Sequence, residues 1–262
     1  IFSKFFHKIG NNQKLNFMKK ILSLILLFSL YTFGQDNTYV QLTYVKPIQG
    51  ENYGEILNEK WKALAQKRAN NGTIIGWDVW WRAGSTPESN HQIMIATLVS
   101  HPDSLNVNPG IRSVFPEMTD EEFESFSTKN TESRKIINRT MTVEKDAYFK
   151  TDSVPSMLVM NYMKVKPINA MKYEDFESSL KESLKESAKQ GWAFHKRVDA
   201  VGSGLGWNYL TADFYNNNSE LMSERVPTYD YSDNEEIVKN LSLREHVWSD
   251  TYWKWISVRK EN

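Results

Sequence analysis

Apolar and polar residues alternate in short runs along this chain, and the runs are separated by stretches with helical spacing. TYVQLTYV at 38–45 and SMLVMNYMKV at 156–165 read as strands. VKPI closes both, at Val45–Ile48 and Val165–Ile168. Proline fixes φ and disfavours helix in the residue before it, so a strand ends there and the chain turns. Apolar positions then fall at Ile56, Leu57, Trp61 and Leu64, and at Phe176, Leu180, Leu184 and Ala188, each set forming one face of an amphipathic helix. Asn52 with Glu55 suits an N-terminal cap for the first helix, and each helix runs into a glycine, Gly72 or Gly191. Two more strands follow each helix, at 73–82 and 91–99, then at 192–201 and 207–215. Capping boxes at Thr119/Glu122 and Asp233/Glu236 open a second helix in each half. Each half ends on a strand carrying D-x-Y-x-K, as Asp146–Tyr148–Lys150 and Asp250–Tyr252–Lys254.

The matched landmarks stay in order while their separation shrinks. Val45/Val165, Gly72/Gly191, Ala96/Ala212, Glu121/Glu235 and Asp146/Asp250 lie 120, 119, 116, 114 and 104 residues apart. Loop deletions in one copy of a repeat produce such a drift, whereas chance matches would not keep their order. The pattern predicts two β-α-β-β-α-β units over 37–150 and 155–262, joined by Thr151–Ser156. It also places Gln41 and Asn161 at equivalent positions.

This arrangement resembles the dimeric α/β-barrel superfamily, which includes antibiotic-biosynthesis-type monooxygenases and NIPSNAP-like proteins. The resemblance implies an α+β fold: two tandem ferredoxin-like units form a pseudo-dimeric barrel within one chain or across a homodimer. It also implies helices outside the sheets and a small-molecule ligand in a cleft. The strand composition supports two covered faces, because 156–165 and 91–99 carry apolar residues at both odd and even positions.

The N-terminal residues change the picture of charge. From Met18, two lysines and the apolar run ILSLILLFSL lead to small residues at Thr32 and Gly34, the pattern of a signal peptide over 18–34. The run is shorter than the ~20 residues of a membrane span, so no stable anchor is expected after cleavage and the product is exported, to a periplasm or medium. Residues 1–17 show no periodicity and read as upstream translated sequence. Residues 1–34 hold five lysines and no acid, which leaves 27 basic against 32 acidic side chains, a net charge of −5. That balance gives no reason to expect nucleic acid as a partner. The absence of cysteine excludes disulfides, thiol nucleophiles and thiolate metal sites.

Candidate chemistry is sparse. Gly202–Gly206 (GSGLG) precedes a strand rather than a helix, so it reads as a turn and not a phosphate loop. The histidines lack metal-ligand spacing, and the residues call for no cofactor. A single haem or metal ligand is the one exception considered, with His195 the best candidate because it lies mid-strand beside Lys196 and Arg197. On strict alternation Asp78, Trp80 and Arg82 share a strand face that mixes an acid, a ring and a base, as a pocket would. Arg197, Asp199 and Val201 are their expected counterparts. Tyr148 and Tyr252 are candidate proton donors if the D-x-Y-x-K face looks into a cleft. The function expected from the residues is binding of a small polar or aromatic ligand. One alternative is the chemistry implied by the resemblance, a cofactor-independent or haem-using oxygenase or isomerase. Another is a carbohydrate- or protein-interaction module built on the tryptophans, Trp80 foremost.

Overall fold

The computed structural model describes residues 37–261 other than 203, 229 and 231; the signal-peptide and upstream-segment readings fall outside them. The first half runs β1 (Tyr39–Pro47), α1, β2 (Gly76–Arg82), β3 (Ile93–Val99), α2 (Asp120–Glu132) and β4 (Arg134–Phe149). Helix α1 comprises Tyr53–Ile56 and Lys62–Asn70 with a π-helical turn, Leu57–Trp61, between them. The second half runs β5 (Met157–Val165), α3 (Ala170–Ser179), β6 (Gly191–Arg197), β7 (Tyr209–Tyr215), α4 (Asn218–Arg225), α5 (Glu235–Leu241) and β8 (Arg244–Arg259). The sheet order is β1-β3-β2-β8-β5-β7-β6-β4, closed into one eight-stranded barrel in which every neighbour pair is antiparallel.

Closure depends on two strands of 16 residues. β4 pairs with β1 through Arg134–Val143 and with β6 through Thr142–Phe149. β8 pairs with β5 through Arg244–Trp253 and with β2 through Tyr252–Arg259. Strands this long can serve one neighbour with each half and so leave no open sheet edge to protect.

Alternation distributes the apolar residues between two shells. The inner shell includes Leu42, Trp80, Met94, Met160, Leu210 and Tyr252. The outer shell is buried beneath α1 in the first half (Leu57, Trp77, Val79, Ile256) and beneath α3 in the second (Tyr173, Trp192, Phe194, Tyr209). Each such side chain contributes about 1.5–3 kcal/mol on burial, so both faces of the sheet carry core, as the strand composition indicates.

The capping box at Thr119/Glu122 forms as expected, and Asn52 accepts from the Glu55 amide. At α5 the cap is Asn234, which accepts from Ile237 N, and not Asp233. Helix α4 was not among the expected elements; it is eight residues long, and only Leu221 in it is buried.

The hydrogen-bond register corrects the residue matches between halves. Tyr44 and Tyr162, 118 residues apart, both stand immediately before a bulge and hold matching places, so the VKPI alignment is two residues out. Tyr44, Met94, Trp80 and Lys254 form one cross-strand row; Tyr162, Leu210, His195 and Glu144 form the other. The counterparts of Asp78, Trp80 and Arg82 are therefore Ala193, His195 and Arg197, and Asn161 matches Thr43 rather than Gln41.

The two D-x-Y-x-K runs point opposite ways. In β8 the bulge falls after Lys254, so Asp250 and Tyr252 keep the inward phase. In β4 it falls between Glu144 and Asp146, which moves Ala147 into the inner shell and turns Tyr148 outward onto the α3 side. One inserted residue inverts every later side chain.

Candidate functional site

The interior of the barrel divides into a plugged end and a hollow end. The plug is aromatic and ionic. Tyr44 Oη lies 2.9 Å from Tyr162 Oη, and His91 Nε2 lies 2.9 Å from Tyr252 Oη. Arg82 contacts Asp250 Oδ1 at 2.6 Å, and Trp248 Nε1 donates to Asp250 Oδ2 at 3.3 Å. Burial pushes the Tyr44 phenol up to about 12 and raises Tyr162 and Tyr252 well above the ordinary range, while burial and the nearby Arg82 charge lower His91. The phenols are thus neutral hydrogen-bonding groups.

At the other end the rows carry alanine where the plug carries rings. Ala96, Ala193 and Ala212 leave a cavity of about 360 Å³, walled by Leu42, Trp80, Met94, Met160 and Leu210. Several polar residues line it, Thr142, Asp152, Ser153 and Arg259 among them, and three more bear on its chemistry. Asp78 is held by Ser257 (2.7 Å) and by both terminal nitrogens of Arg259 (2.8 and 2.9 Å). Glu144 lies near the mouth, its carboxyl raised first by burial and then by Asp146. The third group is His195. The segment 151–154 lines the mouth beside Phe149, pinned by the Lys254 ammonium donating to the Val154 carbonyl. A Cβ at Gly191 would collide with the Phe149 ring, so a side chain there would have to displace that ring. The segment expected only to join the halves also lines the cavity.

His195 is 6% exposed, and burial alone lowers it to about 4. Thr142 Oγ1 stands 3.4 Å from both the Val40 carbonyl and His195 Nδ1. A hydroxyl that donates to the carbonyl accepts from Nδ1–H, which leaves Nε2 as a lone-pair acceptor with no partner among the described residues. The ring therefore resists acid. In the unfolded chain the imidazole titrates near 6.5, so the native state loses stability as pH falls from about 6.5 to about 4, by about 3 kcal/mol from this group. His195→Gln is expected to flatten that part of the acid limb in a thermal-melt series. An unchanged limb would show that the ring is solvated.

Of the residues singled out from sequence, Asp78, Trp80 and His195 meet at this cavity. Arg82 and Tyr252 belong to the plug. Arg197 pairs with Asp199 at 2.9 and 3.1 Å and lies over Trp207. Tyr148 is outside the barrel, against the second outer core. Trp80 is 1% exposed and so offers no face to a glycan at the surface; the exposed tryptophans are Trp81, Trp248, Trp253 and Trp255. Thr142, Glu144, Phe149 and Arg259 had no sequence signal; Phe149 and Arg259 reach the cavity only because each follows a bulge, whereas Thr142 and Glu144 precede the one in β4.

The residues do not fit a haem. The cavity is at the low end of the ~300–1,000 Å³ range that holds drug-sized ligands, and a macrocycle exceeds it. Of the two cations at the mouth, Arg259 is committed to Asp78 and Lys254 to a carbonyl, which leaves neither for propionates. Among the described residues no group of three or more His, Cys, Asp or Glu is placed to hold a metal ion.

No protein-family model matches the sequence, and no curated protein does. Solved structures do. A protein from Fusobacterium nucleatum assigned as a monooxygenase aligns over 86% of this chain and 95% of its own, with TM-score 0.56 and 11% identity. One from Lactobacillus acidophilus, also assigned as a monooxygenase, aligns over 86% and 97%, with TM-score 0.54 and 7% identity. An anthrone oxidase-like protein aligns over 86% and 93%, with TM-score 0.51 and 10% identity. These are dimeric α/β-barrel proteins, and at such identities the likeness establishes a shared fold alone.

Proposed function

We propose that the hollow end of the barrel takes a small, largely apolar aromatic molecule bearing one phenolic or enolisable hydroxyl, and that His195 assists removal of its proton. The observation that carries this reading is a buried imidazole, with one nitrogen unpartnered among the described residues, on the wall of a largely apolar cavity that also holds Asp78 and Glu144. Burial alone depresses its basicity. An anion forming beside it reverses that effect, because imidazolium and phenolate stabilise each other where water is excluded. Proton removal begins both cofactor-independent oxygenation, in which the anion reacts with O₂, and isomerisation, in which it is reprotonated elsewhere. The oxygenase or isomerase alternative is therefore preferred to passive binding, and the monooxygenase and anthrone oxidase assignments of proteins with this fold support it.

The test is oxygen uptake and isomer analysis with polycyclic quinols and anthrone-type phenols. Turnover is expected, reduced about 10²–10⁴-fold in His195→Gln. A panel that binds without turnover would leave a binding protein, and turnover indifferent to His195 would sink the assignment.

Two further readings go with this one. The matching bulges in β4 and β8 support descent of the halves from one duplicated unit. Export, read from residues 18–34, is tested by N-terminal sequencing of protein recovered outside the cytoplasm. A start near Gln35 is expected, and a retained leader would contradict it.

A further inference from the structure

A second concavity, of about 750 Å³, lies outside the barrel between α1 and α2. Its floor is apolar, formed by Ile56, Phe115, Met118 and Phe126. Its rim carries six glutamates, at 51, 55, 59, 117, 121 and 122, against two lysines, Lys60 and Lys129. None of the six forms an ion pair among the described residues. Two are used locally: Glu122 closes the α2 capping box, and Glu55 accepts from Asn52. Glu51, Glu59 and Glu117 have no hydrogen-bond partner among the described residues.

Two observations besides the charge point to a ligand. Ser133 lines the groove, is 1% exposed, and its hydroxyl has no hydrogen-bond partner among the described residues. A buried hydroxyl left unpaired is costly, and a ligand that donates or accepts there satisfies it. The Lys60 ammonium lies 4.1 Å from the centre of the Phe115 ring, so the floor already presents an aromatic face to a cation. The π-helical turn Leu57–Trp61 carries both Glu59 and Lys60 to this groove, and such turns often occur at functional sites.

We propose that the groove binds an amphipathic organic amine: an apolar chain or ring ending in a primary ammonium. The apolar part lies on Phe115 and Phe126, the charge meets the unpaired glutamates, and an ammonium N–H donates to Ser133 Oγ. A primary ammonium fits better than a quaternary one because it alone can donate. The inference is independent of the barrel chemistry.

The experiment is calorimetric titration with n-octylammonium, n-octyltrimethylammonium and n-octanol. The Trp61 indole N–H resonance serves as local reporter, since that ring packs on Phe126 at 6.1 Å and its Nε1 donates to Asn130. Octylammonium is expected to bind, to shift that resonance, and to weaken as salt shortens the screening length from about 30 Å at 0.01 M to about 10 Å at 0.1 M. Glu59→Gln and Glu117→Gln, both exposed and folding-neutral, should each cost about two- to fivefold in affinity. Ser133→Ala should erase the preference for the primary over the trimethylated ammonium. Octanol binding as well as octylammonium would overturn the proposal. So would a silent Trp61 resonance at millimolar amine, or indifference to both glutamine variants.

Discussion

Ala212→Phe is expected to eliminate ligand binding in the barrel, at least about a hundredfold in affinity, while the variant still folds. Ala212 sits at the centre of the hollow end, opposite Met160 on β5 and Ala193 on β6. A ring added to a tight core costs about 1–3 kcal/mol through displaced neighbours. Here it enters open space of about 360 Å³, so burial of the ring offsets much of that cost. Titration with 1-naphthol by calorimetry, alongside a thermal melt, separates the two effects. A folded variant that binds as well as the parent would place the ligand site outside the barrel. Octylammonium binding in the outer groove should be unaffected by the same substitution, which keeps the two sites distinguishable.

Arg82→Ala is expected to destabilise the protein by about 3 kcal/mol, the low end for breaking a buried ion pair, because Arg82 keeps 30% of its side chain in solvent. Asp250, only 6% exposed, then retains Trp248 and Tyr252 as donors but no cation. Asp250 is then a buried carboxylate with no counter-charge, which is what the substitution costs. Chemical denaturation of Arg82→Ala beside the double variant Arg82→Ala/Asp250→Asn checks this: the double variant should recover much of the loss. An equal deficit in both would mean that the loss comes from packing of the guanidinium stem rather than from charge.

Most of the architecture was legible in the pattern of residues, and the reason is local. Alternation and helical spacing are properties of neighbouring positions, so β1, β3, β5 and β7, the first helix of the first half and the Thr119 cap are found within a few residues of their expected places, whereas the helix expected through Ala188 in the second half is α-helical only to Ser179 and 3-10 over Leu180–Lys185. What alternation cannot supply is the phase after a bulge. The same letters, Asp-x-Tyr-x-Lys, lie inward in β8 and outward in β4, and that difference alone removes Tyr148 from the site and keeps Tyr252 in the interior. Register between distant strands is equally silent. His195 stands across the barrel at the place matching Trp80, a relation set by pairing with Leu210 and Glu144 that no spacing in the chain announces. His195 was legible as a mid-strand oddity; the alanines that make room beside it were not, because alanine in a strand carries no signal until its row is known.

Whether His195 is a neutral hydrogen-bond acceptor facing a ligand in the barrel is read most directly from the long-range ¹H–¹⁵N spectrum of its imidazole, recorded across pH and during titration with 1-naphthol. An unprotonated Nε2 and a protonated Nδ1 are expected down to about pH 5, with an Nε2 shift when the phenol binds. A doubly protonated ring at neutral pH, or an Nε2 that does not respond at saturating ligand, would contradict it.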